Sequence, residues 1–301
     1  MRIADAYKNG KPVFSFELMP PRNEQEFDVL HKTIAALRPL RPDFVSVTYP
    51  SLSRPGDAER RELTVQLVTD IKRDIGIEAM AHLTCSDNTA EQLAAILERL
   101  EAAGIENVIA LRGDAPRGKK AFTATEGGFA HGTEFARFIR SRWGFCVAGA
   151  AYPEGHPESA DPQQDVRYAK EKQDAGVDVL ITNLHFEPDD YFRFVRRARQ
   201  AGVTVPIVPG VMPVTGASQL KPTAMFARSG ARVPERLRQR IEVARDDEAV
   251  QAIGIAWALA QCRELLEGGA PGIHFYTLNR SRAAYAVYRG LTAAVPAVGA
   301  R

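Results

Sequence analysis

Hydrophobic and polar positions alternate between two rhythms along the chain. Short continuous apolar runs at 12–19, 43–49, 78–84, 107–111, 145–152, 177–183, 205–212 and 272–277 have the length of strands buried on both faces. Between them apolar residues recur at every third or fourth position, which predicts helices with one buried stripe. Asn23 caps the first, whose stripe is Phe27, Leu30, Ile34 and Leu37, and Asn88 or Thr89 opens another through Leu93, Ile96, Leu97 and Leu100. Further helices are predicted at 61–75, 133–142, 163–175, 188–201, 234–244, 248–267 and 280–290, two of them closed by Gly176 and Gly202. Pro20-Pro21 ends the first run firmly, whereas Pro206 and Pro209 fall inside the seventh, a position that barrel strand ends tolerate.

Strands alternating with helices in this number and over this length predict an α/β fold of one domain, a (β/α)8 TIM barrel over 1–295, with residues 296–301 fraying. The rival is an open doubly wound sheet, which carries fewer strands and often a phosphate loop of the form G-x-G-x-x-G. No such loop occurs in the sequence. Composition changes this picture little: 301 residues with 45% apolar and 25% charged content describe an ordinary globular protein. The net charge is +2, and basic residues are interleaved with acids, as in Asp57 to Glu62, so no nucleic-acid partner is expected. Cys85, Cys146 and Cys262 are far apart and form no C-x-x-C pair, which points to reduced thiols in the cytoplasm and to no metal site. No apolar stretch approaches the roughly 20 residues of a membrane helix, and the amino terminus carries no leader-like core, so a soluble, unexported protein is expected.

Chemistry enters where the strands stop. The run at 107–111 ends abruptly at Arg112-Gly113-Asp114, which sets a guanidinium, a flexible hinge and a carboxylate at a carboxyl end, the end where parallel α/β folds bind ligands. Other strand ends add Glu17, Thr48, Tyr49, His82, Tyr152, Asn183, Tyr276 and Asn279. Two carboxylates, a histidine and several tyrosines and amides would then face one pocket.

These residues lie in motifs that resemble the methylenetetrahydrofolate reductase family. The matching segments are Phe14-Ser15-Phe16-Glu17 through Pro20-Pro21-Arg22, Phe44-Val45-Ser46-Val47-Thr48-Tyr49, Ala81-His82-Leu83-Thr84 and Ala110-Leu111-Arg112-Gly113-Asp114. They continue with Ala150-Ala151-Tyr152-Pro153-Glu154, His156-Pro157-Glu158, Pro209-Gly210 with Met212-Pro213-Val214, and His274-Phe275-Tyr276-Thr277-Leu278-Asn279-Arg280. The resemblance spans essentially the whole chain, and the length is similar to the bacterial, single-domain form.

It implies a flavoprotein in which NADH or NADPH reduces bound FAD and methylenetetrahydrofolate then takes the hydride, a ping-pong cycle that supplies methyl groups for methionine synthesis. By resemblance Thr48, Tyr49, His82, Arg112, Gly113, Asp114, His131, Tyr152, His156, Asp165 and Lys172 hold the cofactor. Lys172 can neutralise a pyrophosphate, Asp165 can accept from ribose or ribityl hydroxyls, and Tyr152 can pack an apolar ring edge. The folate would meet Glu17, Asp114, Asn183, Gln219, Tyr276 and Arg280. Methylenetetrahydrofolate accepts hydride only after a ring nitrogen is protonated and the ring opens to an iminium. Glu17, between Phe16 and Leu18-Met19, is the expected general acid, its pKa raised by desolvation, while Asp114 stays ionised and favours the cation. A homo-oligomer, dimer or tetramer, paired through outer helices, is expected.

The chain departs from the family pattern at Pro50, His131, Asn183 and Ala217. Asn183 keeps an amide with a reach one methylene shorter than the usual glutamine, and Ala217 lacks the usual stacking aromatic. Two alternatives therefore stay open: a family flavoenzyme with a different pterin or electron donor, and a non-catalytic barrel serving as a subunit of a reductase complex. The neighbouring His185 is expected to point to the outer face of its strand.

Overall fold

The predicted strands all form, and they close on one another in chain order, as seen in a computed structural model that describes residues 1–52, 55–113, 122–221, 226, 229–279 and 281–292. The strands are β1 (Val13–Leu18), β2 (Phe44–Val47), β3 (Ala79–Thr84), β4 (Asn107–Leu111), β5 (Cys146–Ala151), β6 (Val179–Leu184), β7 (Ile207–Val211) and β8 (Gly272–Tyr276), all parallel. Closure comes from β1 against β8, with Val13 opposite Gly272 and Glu17 opposite Tyr276. The fold is a (β/α)8 TIM barrel.

Ten α-helices are described: α1 (Ile3–Ala6), α2 (Glu24–Leu37), α3 (Asp57–Asp70), α4 (Ala90–Ala102), α5 (Gly132–Arg142), α6 (Pro162–Asp174), α7 (Pro188–Gln200), α8 (Glu235–Glu242), α9 (Asp247–Glu267) and α10 (Ser281–Thr292). Asn23 caps α2 by accepting from the Glu26 amide at 2.9 Å. Thr89, not Asn88, caps α4, in a reciprocal capping box with Gln92. The third helix starts four residues earlier than the apolar stripe predicts, because Gly56 takes a left-handed conformation and releases the chain into helix at Asp57. Of the charges there, Asp57 and Arg61 are buried while Glu59 and Glu62 are exposed.

Inward residues of the strands form their own cluster, with Val13, Phe44, Met80, Ile109, Cys146, Ala148, Val179, Ile181 and Val208. Helix α1, which no periodicity foretells in four residues, stoppers this cluster from below. Ile3 is fully buried in it, its amide donates to Asn107 Oδ1 at 2.8 Å, and Asn107 Nδ2 returns a bond to the Met1 carbonyl at 2.9 Å. With the amino-terminal end plugged by apolar groups, the polar ends of the strands are left at the other mouth.

Helix α9 lies on the segment after β7 at one point of very close approach. A Cβ on Gly254 would sit 1.9 Å from the Val214 carbonyl oxygen. Alanine in a helix ordinarily gains about 1 kcal/mol over glycine. Here overlap with backbone reverses the sign, and Gly254→Ala is expected to destabilise the fold by about 1–3 kcal/mol, read as a lower urea midpoint at unchanged slope. A higher midpoint would show that α9 can slide away from Val214.

Candidate active site

Below the mouth the barrel interior has two chemically different halves. Strands β8, β1 and β2 place His274, Ser15 and Ser46 inside, while β4 to β7 place Ile109, Ala148, Ile181 and Val208 there. Ser15 Oγ and His274 Nδ1 pair at 2.8 Å. Above them, Glu17 on β1 faces His82 on β3, with Oε2 to Nε2 at 3.8 Å.

The Glu17 side chain is only 12% exposed, and among the described residues no lysine or arginine comes within ion-pair distance of it. Arg22, its nearest basic residue in sequence, is taken by Glu26. Burial without a cation pushes the Glu17 carboxyl up to about 8, so the acid stays protonated at neutral pH. Burial acts oppositely on the rings and pulls His82 and His274 down to about 3, leaving both neutral. Tyr276 is held well above the usual phenol range, first by burial and then by Glu17 and Tyr152, and its hydroxyl donates to the Thr182 carbonyl at 2.8 Å. The ring has room because residue 210 is glycine: a Cβ there would lie 2.4 Å from the Tyr276 ring.

A cavity of about 660 Å³ opens at the carboxyl ends of β2 to β5 and along α5 and α6; it is lined by His82, which faces Glu17, and not by Glu17 itself. Its wall includes Thr48, Tyr49, His82, Arg112 and Gly113, and then His131, Tyr152, His156, Asp165 and Lys172. Thus every described residue expected to hold a cofactor lines one space. Asp114 and Arg280 lie outside the described residues.

Lys172 reaches the wall from the last turn of α6, donating to the Ala150 carbonyl at 2.6 Å with its Nζ 5.9 Å from the Tyr152 ring centre. Burial lowers its pKa to about 8, against the opposing pull of Asp165. A lysine in that state gains by receiving an anion. Asp165 Oδ2 accepts from the His156 amide at 3.2 Å, and burial raises its pKa. His156 Nδ1 accepts from the Glu158 amide at 3.1 Å, and its ring meets Tyr152 edge to face at 4.7 Å between centres. The Arg112 guanidinium pairs with both oxygens of Glu158, at 2.6 and 2.9 Å, and lies 5.0 Å over the Phe122 ring.

The expected folate residues are less gathered. Asn183 is turned aside, its Nδ2 donating to the Ser229 carbonyl at 2.8 Å. Gln219 spends its carbonyl on the amides of Thr215 and Gly216, at 2.7 and 3.1 Å, and sits in a separate small cleft with Tyr276 and Thr277. Asn279, collected among the strand ends, does not face the pocket: its amide brackets the backbone of Met19, with Oδ1 accepting and Nδ2 donating at 2.8 Å each. His185 lies on the outer face as expected, stacked on Tyr191 at 6.0 Å.

Sequence reasoning missed Ser51, Glu134, Arg137, Tyr168 and Glu171, which also line the cavity. Tyr168 and Glu171 share the α6 face with Asp165 and Lys172 at helical spacing, a signal available in the sequence. Arg61 was missed for a different reason. Its guanidinium lies 4.7 Å over the Tyr49 ring and donates to the carbonyls of Pro50 and Ser86, which fixes one wall from behind.

Fold and site together define a (β/α)8 barrel with a buried acid facing His82, which lines a cavity of mixed charge at the carboxyl ends of the strands. The chain belongs to the methylenetetrahydrofolate reductase family, whose model matches residues 2–292. It is 34% identical to the 5,10-methylenetetrahydrofolate reductase of Escherichia coli (strain K12), over 92% of this chain and 90% of that protein. It is also 34% identical to methylenetetrahydrofolate reductase (NADH) 1 of Arabidopsis thaliana, over 97% of this chain and 51% of the plant protein. The chain therefore spans about half the length of the plant relatives it matches and most of the bacterial ones. Among solved structures, an uncharacterized protein from Clostridium thermocellum that binds two copies of 5-methyl-5,6,7,8-tetrahydrofolic acid superposes with a TM-score of 0.68 at 13% identity, covering 97% of this chain and 99% of its own. At that identity the likeness concerns the fold. Among the described residues no helix is long and apolar enough to cross a membrane.

Proposed function

We propose that this protein reduces 5,10-methylenetetrahydrofolate to 5-methyltetrahydrofolate with FAD as cofactor and NADH or NADPH as donor, in a cytoplasmic, ping-pong cycle that supplies methyl groups for methionine synthesis. The observation that carries this reading is Glu17, a carboxyl kept protonated near neutral pH by burial alone, facing His82, which lines the large cavity at the strands' carboxyl ends. A bound flavin would accept hydride from the nicotinamide and return it to the folate. The residues present suit such a group: a cavity of about 660 Å³ lies within the range of cofactor sites, and Lys172 supplies charge for a diphosphate, while Arg112 is paired with Glu158.

The chain's own residues then divide the work. Glu17 gives its proton to a nitrogen of the folate's five-membered ring and keeps the O–H electron pair as a carboxylate; the C–N bond to that nitrogen breaks with its electrons going to the nitrogen, and the lone pair of the other ring nitrogen forms the iminium. Asp114 serves as the ionised partner that favours the cationic iminium, and Tyr276 and Arg280 hold the pterin and its tail, joined by Asn183 and Gln219 once these leave Ser229 and the amides of Thr215 and Gly216. Thr48, Tyr49, His82, Gly113, His131, Tyr152, His156 and Asp165 exclude water and position the ring system and ribityl chain. The active species is proposed to be a homo-oligomer, a dimer or tetramer.

Cofactor binding is tested at Lys172. Removing a charged donor from a buried anion site costs about 1.5–3 kcal/mol. Lys172→Ala is therefore expected to weaken FAD binding by roughly 10- to 100-fold, so that flavin passes into the filtrate on dilution. A wild-type protein that purifies colourless and takes up no added FAD would end the proposal. A second reading, the same chemistry on a different pterin, is favoured by Asn183, whose amide hydrogen is already engaged by Ser229. Rates with several reduced pterins, compared between wild type and Asn183→Gln, separate the two.

A further inference from the structure

Barrel interiors are layered, and each layer is filled from alternate strands. The register here climbs two residues for every two strands: His82 lies opposite Ile109 and Ala148, Ile181 lies opposite Val208, and Gly210 lies opposite His274. Following that climb, one layer consists of Glu17 from β1, His82 from β3, Ala150 from β5 and Gly210 from β7. Two small residues leave the layer to the carboxyl and the imidazole, which face each other at 3.8 Å.

Around Glu17 two buried side-chain atoms lack a hydrogen-bond partner among the described residues, Ser46 Oγ, opposite Glu17 in register on β2, and His82 Nε2 on β3, of which the imidazole faces the carboxyl at 3.8 Å. The titratable groups there are His82 from β3, His274 and Tyr276 from β8, and Tyr152 just past β5. Tyr276 donates to the Thr182 carbonyl and His274 Nδ1 pairs with Ser15, both at 2.8 Å. Tyr152 packs against His156. His82 Nε2 is buried and has no hydrogen-bond partner among the described residues. A buried polar atom in that condition is costly unless a partner reaches it, and the group facing it is the Glu17 carboxyl.

We propose that His82 is a positioning residue for the proton that Glu17 delivers: its Nε2–H donates to Oε2, so that the acidic hydrogen sits on Oε1, turned away from the imidazole. This rests on the function proposed above. When the Oε1–H bond breaks and the proton moves to the folate nitrogen, the same N–H holds the carboxylate that remains, and His82 keeps its own proton throughout. The observed 3.8 Å is longer than a hydrogen bond, as catalytic contacts often are before a ligand closes the site. Burial keeps the imidazole neutral, so it can donate from one nitrogen without competing for the acid's proton.

An N–H aimed at the carboxyl stabilises its ionised form more than its protonated form. His82→Leu is therefore expected to raise the Glu17 midpoint by about one pH unit. Infrared titration of the flavin-free protein, with Glu17→Gln as blank, reads that midpoint directly. His82→Gln, whose amide can occupy the Nε2 position, is expected to return it to within about half a unit of wild type. In the loaded enzyme the folate-dependent oxidation of flavin should slow by about tenfold in the leucine variant, with its pH inflection displaced upward and both effects reversed by glutamine. An unmoved or lowered midpoint in His82→Leu would overturn the proposal. If the leucine variant does not fold, nitrogen-15 spectra of the wild-type imidazole decide instead: hydrogen on Nε2 is expected, and hydrogen on Nδ1 overturns it. The flavin-free titration is independent of turnover, so a protein that binds no FAD would sink the proposed function and still leave the role of His82 measurable.

Discussion

Glu17→Gln is expected to leave flavin reduction by NADH within about tenfold of wild type while slowing re-oxidation by methylenetetrahydrofolate by roughly 10² to 10⁴, the usual loss for a general acid. The two halves differ because hydride transfer from a nicotinamide needs no proton on a leaving nitrogen, whereas folate reduction must open a ring. Glutamine keeps the volume and one donor of the protonated acid, so fold and flavin content should survive. It also respects the setting: no cation in the described structure pairs with Glu17, so no positive charge is stranded by the change. Stopped-flow absorbance of each half separates the outcomes. Equal slowing of both halves would mean that Glu17 places the flavin and does not donate a proton. An untouched folate half would move the acid elsewhere, but not to His185, whose ring is buried against Tyr191 outside the barrel.

How much of this was legible in the sequence depends on whether the determinant was local. Strand positions were legible because a parallel barrel buries both faces of each strand, so β1 to β8 read as continuous apolar runs with boundaries off by a residue or two. Helix ends were legible where a capping side chain marks them, as at Asn23 and Thr89, and wrong at Asp57, where the cap is Gly56 and no side chain marks the start. The residues around the main cavity were legible mainly through the family resemblance. Without it, Asp165 and Lys172 are two charges on a helix, and only the fold shows that they turn towards Tyr152 and His156. What could not be read was pairing across the barrel. The bond of Asn183 to Ser229 and the layer that sets Glu17 against His82 depend on register between segments far apart in the chain. No local pattern encodes those distances.

The same carboxyl should also leave a signature in stability, of opposite value to its use in catalysis. In the unfolded chain a glutamate titrates near 4.5, and in the folded protein burial moves Glu17 to about 8. Between those values the folded state holds a proton that the unfolded state has lost. The contribution of Glu17 is therefore fully present below about 4.5 and drains away as pH rises towards 8, at about 1.4 kcal/mol per pH unit. The buried imidazoles act in the other direction. His82, His185 and His274 are depressed to about 3, 4 and 3 from an ordinary 6.5, so the unfolded chain binds their protons first and stability is lost as pH falls below about 6.5. Lys172, lowered to about 8 from 10.5, changes the slope only above 8. Wild type should consequently be most stable near pH 6.5 and lose on the order of 2 kcal/mol by pH 8 through Glu17 alone. Glu17→Gln removes that loss, so its unfolding free energy from urea titrations should stay nearly level from pH 6.5 to 8 and exceed that of wild type at the upper end. Parallel curves for the two proteins across this window would show that the carboxyl is already ionised in the folded state, and a group so ionised has no proton to give the folate.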